Sequence, residues 1–172
     1  SFTIGDEAQI LSDDLLVSAE KDIRFGNKAT LVGATDGVTV RSSEGSIYMG
    51  ENLTVSSNSD KTLFEAGKDI VIDRDATLNS EKNSVVFSAG QDIKFEEDFT
   101  VHGKGFELKA QGSLIVGDKA TVQTKFGKYE TGSIESLPQT SIDVKGDVRF
   151  GNDATFRTTM LSMNAGDDEN HT

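Results

Sequence analysis

The chain has no cysteine, no tryptophan, one proline and two histidines. Zero cysteines excludes a disulfide framework and thiol chemistry, and leaves the compartment open. His102 and His171 are the histidines, and the second lies beside the C-terminus. No Gly-x-Ser-x-Gly elbow or phosphate-binding glycine loop accompanies them, so nucleophilic and nucleotide chemistry lose their usual signatures. No apolar run approaches the length of a membrane span. No basic-then-apolar leader opens the chain either, and Ser1 in place of methionine reads as a processed start or a boundary within a longer protein. Positive charge is scarce: 17 basic side chains face 29 acidic ones, a formal net charge of -12. That balance argues against nucleic acid, which needs a basic face to release counterions, and against anionic membrane surfaces. It suits a soluble, self-repelling surface rich in turns, with divalent-cation binding at acidic turns as the functional rival.

What the chain has in abundance is repetition. Ala66-Gly67-Lys68-Asp69-Ile70-Val71-Ile72-Asp73-Arg74-Asp75-Ala76-Thr77-Leu78 returns as Ala89-Gly90-Gln91-Asp92-Ile93-Lys94-Phe95-Glu96-Glu97-Asp98-Phe99-Thr100-Val101. An apolar anchor followed seven residues later by threonine occurs at 23/30, 47/54, 70/77, 93/100, 114/121 and 148/155. Successive anchors are 24, 23, 23, 21 and 34 residues apart. A fixed period of this length is the mark of a repeat architecture and sets the fold before any local assignment does.

Each repeat resolves into three short apolar–polar alternations, the pattern of strands. We name them the anchor strand (Ile70-Val71-Ile72), the threonine strand (Ala76-Thr77-Leu78) and the return strand (Val85-Val86-Phe87). Turn formers such as Gly26-Asn27-Lys28 and Gly117-Asp118-Lys119 separate them. Strands too short to stand alone, three per 23 residues, predict an all-β parallel β-solenoid (β-helix) of about seven coils, right-handed as parallel crossovers are. The reading makes 1–172 a single domain. Ile23, Ile47, Ile70, Ile93, Leu114 and Val148 then form one inward column, and Phe25, Met49, Ile72, Phe95, Val116 and Phe150 a second. Arg24, Tyr48, Val71, Lys94, Ile115 and Arg149 point outward between them, because side chains alternate faces along a strand. An antiparallel sandwich also has short strands at similar spacing, but it does not explain one seven-residue frame recurring six times.

Four features are candidates for function. The 34-residue step adds about eleven residues to a coil, an insertion at about 125–140. It carries Phe126, Tyr129, Leu137 and Pro138 as a candidate interaction surface for a cell-surface glycan or protein ligand. The threonines form an outward column suited to strand propensity and shared hydroxyl bonds. A flat ice-matching face wants a second threonine column, and here the next outward positions are Val32, Ser56, Asn79, His102, Gln123 and Arg157. Asp22, Asp69, Asp92 and Asp147 precede the anchor strand, with Ser46 and Ser113 in the other rungs. Their expected work is accepting backbone N–H bonds at the turn, since calcium needs six or more oxygens around one point and no EF-hand loop or nonapeptide repeat is present. Finally, Phe2 and Ile4 open the chain in the anchor-strand frame, and Leu161 and Met163 close it in the return-strand frame. These four residues are the candidate assembly ends.

The Ala-Gly-Lys-Asp-Ile and Ala-Gly-Gln-Asp-Ile units, over roughly residues 15–165, resemble the repeats of filamentous-haemagglutinin-type β-solenoids. That resemblance implies a secreted surface fibre or adhesin. Glu44-Gly45-Ser46-Ile47-Tyr48-Met49-Gly50 resembles part of the sarcoglycan ectodomain, an extracellular β-helical assembly whose cysteine-rich end module has no counterpart here. Phage tail needles, in which three chains intertwine, share the strand spacing, which leaves head-to-tail self-association and a trimer both open. The combined expectation is a non-enzymatic structural protein, a subunit or segment of an extracellular fibre without a cofactor. A surface adhesin using the insertion is the alternative. A glycan-processing β-helix would need a carboxylate pair that none of the outward strand columns supplies.

Overall fold

Three-residue strands bury too little to persist alone, so the alternating segments have to stack. The computed structural model describes residues 1–58, 61–124, 139–158 and 160–166, and over them the chain is all-β with no helix. The first coil is β1 (Phe2–Ile4), β2 (Gln9–Ser12) and β3 (Leu15–Ala19); the second is β4 (Ile23–Phe25), β5 (Thr30–Gly33) and β6 (Val38–Ser42). The third is β7 (Ile47–Met49), β8 (Thr54–Ser57) and β9 (Thr62–Ala66). In the fourth, β10 (Ile70–Ile72) leads into one long strand, β11 (Thr77–Ala89); in the fifth, β12 (Ile93–Phe95) leads into β13 (Thr100–Ala110). The sixth holds β14 (Leu114–Val116), β15 (Thr121–Thr124) and β16 (Gln139–Val144). The last holds β17 (Val148–Phe150), β18 (Thr155–Arg157) and β19 (Met160–Ala165).

Pairing is parallel and joins equivalent strands of successive coils, which makes the molecule a β-solenoid of seven stacked coils. The anchor strands form a seven-stranded sheet, β1-β4-β7-β10-β12-β14-β17. Threonine and return strands, read from the sequence as separate short strands, belong to a single twelve-stranded sheet because they run on without a break in β11 and β13. Registers match the repeat frame: Ile47, Ile70 and Ile93 stand in one column, Thr54, Thr77 and Thr100 in another.

Facing follows the pleat. Ile23, Ile47, Ile70, Ile93 and Leu114 are wholly buried, while Arg24, Ile115 and Arg149 between the inward columns are exposed. The sixth members depart from this: Val148 is half-buried and Phe150 is 40% exposed, because they stand in the last rung of the described residues. Mid-molecule the core is aromatic. Phe87 stacks on Phe64 at 5.0 Å between ring centroids and meets Phe95 edge-on at 5.0 Å, and Phe95 stacks on Phe99 at 4.1 Å. Such pairs add about 0.5–1.5 kcal/mol each beyond the area they bury.

Differences in coil length are absorbed almost entirely at one corner, between threonine and return strands. Thr77 pairs with Thr100 and Val85 with Phe106, so a step of eight residues (77 to 85) lies against a step of six (100 to 106). The long insertion falls at this same corner, between β15 and β16, and both strands pair with β13 on either side of it. Phe126, Tyr129, Leu137 and Pro138 lie outside the described residues.

The opposite corner, between anchor and threonine strands, is invariant, and its geometry was not foreseen. Glu7, Lys28, Asn52, Asp75, Asp98, Lys119 and Asp153 all have φ of 56–59°. Each occupies the position just before the residue that starts the next inward turn (Ala8, Ala29, Leu53, Ala76, Phe99, Ala120, Ala154). Left-handed backbone is uncommon outside glycine, and Asn and Asp tolerate it best. The four Asn/Asp members suit that rule, and the Glu and Lys members are held there by the stacking of identical turns.

Candidate functional site

The lateral surface is built of ladders that run along the solenoid axis. The Asp/Ser column before the anchor strand is the most regular. The Ser46 N–H donates to Asp22 Oδ1 (3.1 Å), the Asp69 N–H to Ser46 Oγ (3.2 Å), the Asp92 N–H to Asp69 Oδ1 (3.2 Å) and the Ser113 N–H to Asp92 Oδ1 (2.6 Å). Each side chain therefore satisfies a donor of the next coil, where a turn would otherwise leave it orphaned. The sequence reading placed these acceptors at the right turn but made them local; they act between coils. Glycine follows from this, because a Cβ on Gly112 would collide with Asp92 Oδ1. The Ser46 N–H, and then the Arg24 guanidinium, hold the Asp22 carboxyl below the usual aspartate range.

A second ladder follows the left-handed turns. The Asn27 N–H donates to Asp6 Oδ1 (2.8 Å), the Glu51 N–H to Asn27 Oδ1 (3.0 Å) and the Asn152 N–H to Asp118 Oδ1 (2.6 Å). In both ladders the side-chain acceptor sits one coil to the N-terminal side of its donor. Surface ion pairs also link coils: Lys21–Glu44 at 2.9 Å, Arg41–Glu65 at 2.6 Å and Arg74–Glu51 at 2.8 Å. The carboxylates of Glu44 and Glu51 raise Lys21 and Arg74 above their ordinary values. These pairs are solvent-exposed and worth little individually; they complement neighbouring coils more than they strengthen them. Arg24 additionally lies over the Tyr48 ring, 3.9 Å from its centroid, in the outward anchor column.

The threonine column faces outward as expected, and its neighbours Val32, Ser56, Asn79, His102, Gln123 and Arg157 share that face. Among the described residues no three His, Asp or Glu side chains gather where a metal ion could sit.

The four end residues are brought to the two ends of the coil. Phe2 pairs with Ile23 and Ile4 with Phe25; Leu161 pairs with Thr140 and Met163 with Ile142. Phe2, Leu161 and Met163 are 43%, 48% and 47% exposed although they stand in columns buried everywhere between them; Ile4 is buried at 9%. Leu11 and Leu16, on outward positions of the first coil, are 68% and 66% exposed and were not singled out by periodicity, which treats them as ordinary surface.

Buried hydroxyls at the variable corner were also missed. Thr62, Ser80 and Thr140 are buried, and their hydroxyls have no hydrogen-bond partner among the described residues. The sequence signal existed: Thr62 and Thr140 stand in a column whose other members, Leu15, Val38, Val85, Phe106 and Leu161, are apolar.

Comparison of the chain with protein-family models, with curated proteins and with solved structures finds no match. The coil supports the solenoid part of the resemblances drawn from the repeats, and none of the three kinds is singled out.

Proposed function

We propose that the chain is a non-enzymatic structural protein, a subunit or segment of an extracellular fibre built by end-to-end stacking of β-solenoid coils. The observation that carries this reading is the pair of solenoid ends, where apolar columns buried along the molecule stop at exposed edges. Sheet edges and apolar rungs left open in this way are templates for another coil. Contacts between two different ends need not close into a ring, so they grow filaments.

The test is electron microscopy of the 172-residue chain beside its Leu161→Lys/Met163→Lys variant. Fibres of the parent and dispersed particles of the variant are expected. A parent that stays a monodisperse monomer at high concentration would refute the reading.

A second reading has its own support. The strands on either side of the insertion keep register with the preceding coil. An adhesin that presents the insertion to a surface glycan or protein accounts for this. Deleting the insertion should then abolish cell or glycan binding while leaving the solenoid folded, and unchanged binding would discard this alternative.

A further inference from the structure

Asparagine side chains on this solenoid are mostly committed to the fold. Asn27 Oδ1 accepts the Glu51 N–H, Asn58 Nδ2 donates to the Ala34 carbonyl, and Asn83 Oδ1 accepts the Ser84 N–H. Asn152 Nδ2 donates to Asp118, and Asn164 Nδ2 to Asp143. Asn52 and Asn79 differ, because their side chains have no hydrogen-bond partner among the described residues. Of these two, only Asn52 has a hydroxyl residue two positions on. Asn52-Leu53-Thr54 is the acceptor sequence for N-linked glycosylation.

The fold displays this tripeptide on its outer surface. Asn52 is one of the left-handed turn residues, with φ of 58°, and is exposed. Leu53 is wholly buried, so Asn52 and Thr54 face outward together, as alternation requires. The Thr54 hydroxyl is exposed and likewise has no partner among the described residues. Elsewhere in the column of turn residues, Lys28 pairs with Glu7 at 3.3 Å and Lys119 with Asp98 at 3.7 Å. Asn52 stands between those pairs and joins neither.

We propose that Asn52 is an acceptor site for N-glycosylation. The inference rests on the extracellular part of the reading above and adds a modification site to it. Asn52 Nδ2 bonds to the anomeric carbon of an activated sugar donor. The donor's phosphate-linked carrier leaves with the electron pair of the broken bond, and Nδ2 gives up a proton. The amide and the Thr54 hydroxyl are both reached from the outer side of the folded sheet, so no buried residue has to move. A glycan on the third of seven coils projects sideways, which leaves stacking along the axis open.

The test is secretion of the chain, behind a cleavable leader, from a eukaryotic host that glycosylates. An Asn170→Gln background removes Asn170-His171-Thr172, the other acceptor sequence in the chain. Mass spectrometry should show an increase of one glycan that peptide-N-glycosidase removes. Asn52→Asp and Thr54→Val should abolish it, whereas Thr54→Ser should retain it. The aspartate variant is safe for folding, since Asp75, Asp98 and Asp153 hold the same turn with φ of 56–59°. Valine suits an outward strand position equally well. A folded, secreted parent without a glycan would overturn the assignment, and so would a glycan that persists in Asn52→Asp. Fibre formation is read separately, by microscopy of the unglycosylated chain, so loss of this site and loss of the fibre reading are distinct results.

Discussion

Ile70 and Lys94 are separated by one rung and by the face of the pleat, and that face decides what each contributes. Ile70 is wholly buried, whereas Lys94 points to solvent beside Glu96. Ile70→Ala removes apolar contact and leaves a cavity that stacked strands cannot collapse, at a cost of about 2–5 kcal/mol. Lys94→Ala should stay within about 0.5 kcal/mol of the parent. Denaturant melts of the two variants check this, and equal losses would show that the facing is wrong. At this scale the alternation of Ile70-Val71-Ile72 made facing legible, because period two has only two solutions. Thr62 is the residue-scale case that alternation hid. It stands between Val38 and Val85, its hydroxyl has no hydrogen-bond partner among the described residues, and a buried unpaired donor costs roughly 1–3 kcal/mol. Thr62→Val should therefore raise the denaturation midpoint. A lowered midpoint would mean that the hydroxyl has a partner, such as an ordered water, worth more than its desolvation.

At the scale of elements, turns and ladders divide the labour between the two kinds of corner. The anchor-to-threonine turn keeps seven residues in every coil because its left-handed residue has to coincide from rung to rung, and Asx side chains tie the turns together in the first and last coils. One residue inserted after Asn27 should flip the following strand's faces and unfold that coil. Two residues inserted after Lys104, which would match the eight-residue step of the neighbouring coil and keep the facing, should be tolerated. Circular dichroism melts of the two insertions distinguish these outcomes. The constancy of the first spacing was legible in the sequence; the reason for it was not, since φ of a lysine or aspartate leaves no trace in composition. Ladder chemistry also makes stability depend on pH. Asp22 titrates below its unfolded value because its carboxylate accepts the Ser46 N–H and faces Arg24. Its contribution is fully present above the unfolded value of about 3.9 and is lost as pH falls through the lower folded value. Asp22→Asn should flatten the acid limb of a stability profile, and a limb as steep as the parent's would show that Asp22 plays no part in it.

Taken whole, the molecule behaves as a one-dimensional stack in which each coil touches its neighbours and the ends differ from the middle only in lacking one. The stack was legible because a recurring frame of Ile or Leu and Thr sets coil length directly. The merging of threonine and return strands into one twelve-stranded sheet was not, because it depends on how tightly the variable corner bends at Ser80–Ser84 and Gly103–Gly105. The ends were legible as the anchor-strand frame of Phe2 and Ile4 and the return-strand frame of Leu161 and Met163, and their exposure follows from geometry: Met163 is 47% open while Ile142, one rung in, is 2%. X-ray diffraction from oriented fibres of the chain tests end-to-end growth most directly, because strands lie across the solenoid axis. Stacked copies with seven rungs each should place the strand spacing of about 4.8 Å along the fibre axis, with an axial repeat near 34 Å. A 4.8 Å reflection perpendicular to the fibre axis would mean that molecules associate side by side, and would contradict the account.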